Sequence, residues 1–211
     1  MSSESGTEHV VLCGRNHERV GVAPKSEVHH ANTPLHLAFS CYVFDPRARL
    51  LVTHRAHEKL TWPGVRTNSC CGHPGPDEPI EDAVRRRLRQ ELGVEVGSVE
   101  LVLPEFSYFA RMAAGPGAAE GAGIAENEVC PVYRAMASDV QLDANPDEVA
   151  EAAWVPWSDY VAEVEADSSA VSPWSALQVA ELAKLGPDPL AWQAASHDRL
   201  PPAAREAAHP A

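Results

Sequence analysis

Cys71 and His73 stand two residues apart in the stretch TNSCCGHP, and Glu126 and Glu128 stand two apart in ENEVCP. Residues i and i+2 of a strand project from the same face. A thiol beside an imidazole can act as a proton donor, a proton acceptor or a nucleophile. The same pair also occurs as a small buried thiol next to a packed ring. Two carboxylates on one sheet face repel each other unless a cation lies between them. Together with His29 and His36 they make three imidazoles and two carboxylates. That donor set suits a divalent transition ion or Mg²⁺ in a roughly octahedral site. These residues come from three separate segments, so the chemistry exists only if the fold brings them together. Otherwise each is an ordinary solvated or core side chain.

The elements that must do this positioning are legible from periodicity. LHLAFSCYVF (35–44) is nearly all apolar and reads as a buried strand. DPRA turns the chain, and RLLVTHR (49–55) reads as its hairpin partner. VRTNSCCG reads as a strand leading into a Gly/Pro loop. Ile80, Val84, Leu88 and Leu92 then recur at helical spacing. Asp77 is placed to cap this helix, Pro79 fits its first turn and Gly93 its left-handed stop. VEVGSVELVLPEFSYFA reads as one or two strands, and RMAAGPGAAEGAG (111–123) as a mobile hairpin loop. IAENEVCPVYRAMA is a strand, and DEVAEAAWVPWSDY a strand that breaks at Pro156 into a short helix. SPWSALQVAELAKL (172–185) is a second amphipathic helix, capped by Ser172 with Pro173 at its start. Strands on both sides of one strong helix predict an α/β sandwich with a mixed sheet. Residues 1–8 read as a loose tail, 9–185 as one domain and 186–211 as a Pro/Ala-rich, irregular tail with at most a helical turn at 203–208.

Composition narrows the class. The 211 residues include 17 basic and 30 acidic side chains, a net charge of −13. That field opposes nonspecific binding to nucleic acid or anionic membranes. An anionic substrate would need local cations or a bound metal to overcome it. Five cysteines without framework spacing read as reduced thiols of a cytoplasmic protein. MSSESGTEH carries neither a basic region nor an apolar core, so no leader is expected. No apolar run approaches the roughly 20 residues of a membrane-spanning helix.

Gly72, Glu78, Arg86, Leu88, Glu91, Gly93 and Val94 fit most of the pattern G-x5-E-x7-R-E-U-x-E-E-x-G-U, where U is aliphatic. The stretch thus resembles the Nudix box, whose acidic residues gather metals that activate water against a diphosphate. Arg87 and Gln90 stand where that box has Glu, so two of its four acidic positions are lost. This argues against hydrolysis of a nucleoside or sugar diphosphate, the alternative activity.

The eroded box and its surroundings resemble one family closely, the type I isopentenyl-diphosphate isomerases. LHLAFS, WPGVRTNSCCGHP, EDAVRRRLRQELGV, ENEVCPVY and SPW carry the likeness, which runs from about His9 to Leu185. It implies a Nudix-type α/β/α sandwich that interconverts isopentenyl and dimethylallyl diphosphate through a carbocation-like intermediate. It implies Cys71 and Glu128 as catalytic residues, helped by Tyr108. His29, His36, His73, Glu126 and Glu128 would bind Mn²⁺, Mg²⁺ or Zn²⁺, and Glu91 an Mg²⁺ that bridges the diphosphate. Lys25, Arg55, Lys59 and Arg87 would surround the diphosphate, and Trp174, with Tyr108, the hydrocarbon. The family implies no nucleic-acid or membrane partner, and a monomer is expected. One expectation has Glu128, assisted by Tyr108, delivering a proton while Cys71 accepts the other; the reverse is equally compatible with the sequence. Pro34 and Arg66 stand where the family would have Arg and Trp, and His30 offers a ring that could compete with His29.

Overall fold

The computed structural model describes residues 8–114, 123–137 and 141–208. The chain opens with β1 (His9–Cys13), β2 (Arg19–Pro24), the short α1 (Lys25–Val28) and β3 (His36–Leu37). There follow β4 (Phe39–Phe44), β5 (Arg49–Arg55), β6 (Arg66–Thr67), β7 (Cys70–Gly72) and α2 (Ile80–Leu92). Next come β8 (Val96–Leu103), β9 (Ser107–Ala113), β10 (Gly123–Val129), β11 (Val132–Ala137) and β12 (Val149–Pro156). Helices α3 (Trp157–Ala166), α4 (Pro173–Leu182) and α5 (Pro202–Ala208) complete it.

Two sheets form. One runs β2-β1-β3-β10-β9. The other runs β12-β5-β4-β11-β8, with β6 added on β5 and β7 on β4. Both are mixed: β3 lies parallel to β10, and β4 parallel to β11. The sheets share a seam. Only Ala38 separates β3 from β4, and only Cys130 and Pro131 separate β10 from β11. Ala38 N–H donates to Val129 O at 2.9 Å and Ser40 N–H to Pro131 O at 3.2 Å, so strand pairing continues across the gap.

β4 is buried along its whole length, as its apolar run predicts. Phe39, Cys41 and Val43 face α2, whereas Tyr42 and Phe44 face α3 and α4. This alternation makes the α/β/α sandwich. On α2, Ile80, Val84, Leu88 and Leu92 are fully buried, each removal from water being worth about 1.5–3 kcal/mol. Gly93 ends the helix at φ 65°, with its N–H on Arg89 O and Val94 N–H on Leu88 O. Ser172 caps α4 by accepting from Ser175 N–H, with Pro173 in the first turn.

Three expectations change. Asp77 does not cap α2; its exposed side chain pairs with Arg19 at 3.5 Å. Pro79 itself takes the cap position, its carbonyl accepting from Asp82 and Ala83 N–H. The expected 111–123 loop begins later than read, because β9 runs to Ala113 and pairs with Gly123; residues 115–122 lie outside the described residues. From Gly186 the chain is not an irregular tail. It folds into short turns and α5, burying Trp192 against Phe44 and Trp157, and Leu200, Ala203 and Ala204 against the α2 side of the core. Its apolar residues are spread among prolines and alanines, so no local period announces the packing.

Candidate active site

The β4–β5 hairpin is closed only at its turn, where Phe44 opposes Leu50. Beyond that it opens, and the 66–72 segment fills the gap. Ser69 bridges the two sides, donating to Leu51 O at 2.6 Å and accepting from Val43 N–H at 2.8 Å. β7 then lies against β4 with Cys71 opposite Ser40. Cys71 and His73 both reach one cavity of about 600 Å³, while Cys70 joins the core with Cys41.

The three separate segments converge there. His29 follows α1, His36 lies on β3, His73 follows β7 and Glu128 lies on β10, opposite His36 in the parallel register. One ligand atom from each lies within 4.8 Å of all the others. Glu128 Oε1 is 3.3 Å from His73 Nε2 and 3.4 Å from His36 Nε2, and the two Nε2 atoms are 3.2 Å apart. Atoms bound to one ion at about 2.0–2.2 Å and at right angles sit about 3 Å apart, so the set has metal-ligand spacing. His36 Nδ1 lies 2.9 Å from Pro34 O, the outer hydrogen bond that typically orients a metal-binding imidazole. His73 Nδ1 is buried without a hydrogen-bond partner. The donor set therefore fits a divalent ion.

Glu126 lies apart from this foursome. It lines the same cavity, but its Oε2 accepts from Tyr108 O–H at 2.7 Å. Tyr108, expected to assist Glu128, thus bonds the neighbouring acid. His30 is not part of this foursome; its Nδ1 accepts from Asn32 N–H at 3.0 Å.

Charge states follow from burial and neighbours. Burial pushes the Cys71 thiol up to about 12. It likewise lowers His29 and His73 to about 4. At Glu128 burial acts upward, but the bonds from His36 and His73 overrule it and hold the carboxyl well below its usual range. Burial, then the charge on Glu128, push Glu126 up to about 7. For His36, burial opposes the charged form, yet Glu128 beside it raises the pKa.

An aromatic wall completes the cavity. Trp174 lies 6.1 Å from Tyr108 and 5.4 Å from Trp62, centroid to centroid, and the Arg55 guanidinium sits 5.7 Å over the Trp174 ring. Trp62 opens the quoted WPGVRTNSCCGHP stretch but had no assigned role; it holds φ 44°, a strained value for a bulky residue.

Lys25, Arg55, Lys59, Arg87 and Glu91 also line the cavity. Sequence reasoning missed their counter-ions. Lys25 pairs with Glu8 at 2.7 Å, Lys59 with Glu148, and Arg87 with Glu91 and, at 3.5 Å, with Glu148. Arg55 is aimed by bonds to Thr61 O and Oγ1, both 3.0 Å. Glu78 is absent from the cavity lining and instead holds Arg86 through two 2.7 Å bonds. Arg66 likewise lies outside, bonded to Glu163 at 3.0 Å.

The strand–loop–helix unit on mixed sheets defines a Nudix protein, and a model of the NUDIX domain matches residues 34–175. The fold is shared with a crystal structure from Deinococcus radiodurans, at a TM-score of 0.61 and 20% identity over 82% of this chain and 98% of that one. Among curated proteins, the isopentenyl-diphosphate Delta-isomerase of Saccharopolyspora erythraea is 51% identical, over 93% of this chain and 97% of its own length. The isopentenyl-diphosphate Delta-isomerase of Rhizobium rhizogenes is 46% identical, over 97% of this chain and 94% of its own length. This chain belongs to the isopentenyl-diphosphate Delta-isomerase family of Nudix proteins.

Proposed function

We propose that the chain interconverts isopentenyl and dimethylallyl diphosphate, as part of isoprenoid biosynthesis. The observation that carries this reading is the placing of Cys71, Glu128 and Trp174 around one cavity that Lys25, Arg55, Lys59 and Arg87 also line. Moving a double bond requires a proton added at one carbon and another removed nearby. Cys71 as a thiol and Glu128 as a carboxylate supply one proton and one acceptor. Either assignment of donor and acceptor between Cys71 and Glu128 satisfies this requirement. Trp174 and Tyr108 face the hydrocarbon, and an indole face favours a nearby cation by about 0.5–2 kcal/mol. Excluding water protects such a cation from capture.

The diphosphate does not react. It is a remote handle whose binding energy orders the reacting carbons. Lys25, Arg55, Lys59 and Arg87 would hold it, with Mg²⁺ on Glu91. His29, His36, His73 and Glu128, with Glu126 turned toward them, would hold Mn²⁺, Mg²⁺ or Zn²⁺, whose positive charge polarises an attached carboxylate. Loss of two acidic residues from the box suits a protein that must leave the diphosphate intact, against the hydrolase alternative. The described cysteines are all free thiols, which suits the reducing cytoplasm, and we take the chain to act there as a monomer on this small-molecule substrate. The test is an NMR assay of the purified protein with isopentenyl diphosphate and Mg²⁺. Dimethylallyl diphosphate is expected; released phosphate without isomerisation would favour the hydrolase.

A further inference from the structure

Asn68 is fully buried in the wall of the cavity, where three hydrogen-bond donors meet its side-chain oxygen. Its Nδ2 donates to Cys41 O at 3.1 Å and to Cys70 O at 3.0 Å. Carbonyls only accept, so these bonds fix which way the amide is turned. Its Oδ1 must then face the other way, toward the Trp174 indole N–H at 3.1 Å, Thr67 Oγ1 at 2.9 Å and Cys71 Sγ at 3.3 Å.

On its far side the sulfur faces the Ser40 hydroxyl. Tyr42 O–H donates to Gln178 Oε1 at 3.0 Å, which leaves Gln178 Nε2 to donate to Ser40 Oγ at 2.8 Å. Ser40 Oγ lies 3.2 Å from Cys71 Sγ and 3.5 Å from Cys130 Sγ, so two sulfurs share this hydroxyl. The sulfur thus lies between Ser40 Oγ and Asn68 Oδ1, and because an amide oxygen only accepts, the S–H is the donor toward Asn68. A cysteine side chain has three staggered positions, and this network selects one of them.

We infer that Asn68 is a positioning residue: its side-chain oxygen sets the Cys71 thiol and the Trp174 indole in one fixed relation across the hydrocarbon end of the cavity. The inference rests on the isomerase reading, in which those two groups handle the same substrate. Proton transfer and cation stabilisation must then meet at neighbouring carbons, and a misplacement of about 1 Å can cost roughly 100-fold in rate.

Asn68→Ala in the full-length chain tests this by three readouts. The kcat is expected to fall about 10- to 100-fold, with KM for isopentenyl diphosphate changed less than about threefold, because Asn68 bonds Thr67, Cys41, Cys70, Cys71 and Trp174 and none of the cations for the diphosphate. In substrate-free protein the S–H stretch of Cys71, isolated by subtracting the infrared spectrum of Cys71→Ala, is expected to move to higher frequency. The Trp174 indole N–H proton resonance is expected to move upfield. All three together support the inference. An unchanged kcat, a rise in KM without loss of kcat, or an unmoved S–H or indole signal overturns it. The two spectra need no substrate, so they succeed or fail apart from the isomerase reading, which turnover by the unmodified chain tests alone. Should Asn68→Ala not fold, Asn68→Ser is judged by the same three criteria.

Discussion

A thiol that faces an oxygen able only to accept has a partner for its hydrogen, and Cys71, 3.3 Å from Asn68 Oδ1, is such a thiol. Glu128, between His36 and His73, is equally settled as a carboxylate. Cys71→Ser and Glu128→Gln are each expected to lower kcat by about 10²–10⁴; melting of the metal-free protein should change little for Cys71→Ser, whereas Glu128→Gln should also lose much of any rise that metal brings. Turnover in D₂O would then report which end of the product each residue serves, and near-normal rates in both variants would remove these two residues from the mechanism. In the same cavity, Glu148 occupies Lys59 and Arg87, which the diphosphate would use. Glu148→Gln is expected to lower KM by about three- to tenfold, the equivalent of about 1 kcal/mol of removed competition. A raised KM would show that Glu148 instead holds Lys59 in place. The types of the site residues were legible from i, i+2 pairs and from family motifs. Their partners were not: nothing local in the sequence pairs Tyr108 with Glu126, or Glu8 with Lys25, because those contacts come from segments brought together only by the sheets.

At the scale of elements, the local rules worked where one period governs a whole segment. α2 was readable because four apolar residues recur on one face and a glycine follows. Leu88→Ala is expected to cost about 2–5 kcal/mol by urea denaturation, since its cavity would lie between α2 and the sheet. Gly93→Ala adds backbone strain of about 1–2 kcal/mol, and its new Cβ would sit 2.7 Å from Asp143 Cβ, so a loss of at least that size is expected. The helix start was misread because Asp77 has the right residue type but points outward to Arg19. The β4–β5 turn gives a pH test. Burial would raise the Asp45 pKa, but Arg49 N–H, the Arg49 guanidinium and Arg47 N–H overrule it and hold the pKa below its ordinary value. A depressed carboxyl contributes stability above its unfolded pKa of about 3.9 and loses it as pH falls below that. The stability gap between the unmodified chain and Asp45→Asn is therefore expected near neutral pH and should shrink below about pH 4, measured by urea midpoints.

For the whole molecule, the sandwich was predictable from the order of strands and helices, but the closing of the structure by residues 186–208 was not. Trp192 and Leu200 are single apolar residues in a Pro/Ala-rich stretch, and only tertiary packing gives them a destination. The metal site also acts at this scale. A divalent ion that binds only the folded chain should stabilise it by RT ln(1 + [L]/Kd), about 2.7 kcal/mol at 100 times Kd. Melting after chelation and again after Mn²⁺ or Zn²⁺ is restored should show that rise, and His73→Ala should abolish most of it. A melting temperature indifferent to both treatments would count against His29, His36, His73 and Glu128 as ligands.

At the seam between the sheets, an ion held by this cluster would have a mechanical role. His36 lies two residues before Ala38, where one chain crosses the seam, and Glu128 two before Cys130, where the other begins to cross, so a cation held between them would bolt both crossings at the same height. Tightening that bolt should slow amide exchange in β3, β4, β10 and β11 together, while α3, which hangs from one sheet alone, keeps its own rate. Loading the metal would thus set the angle between two plates, and with it the width of the slot where the alkene must lie flat.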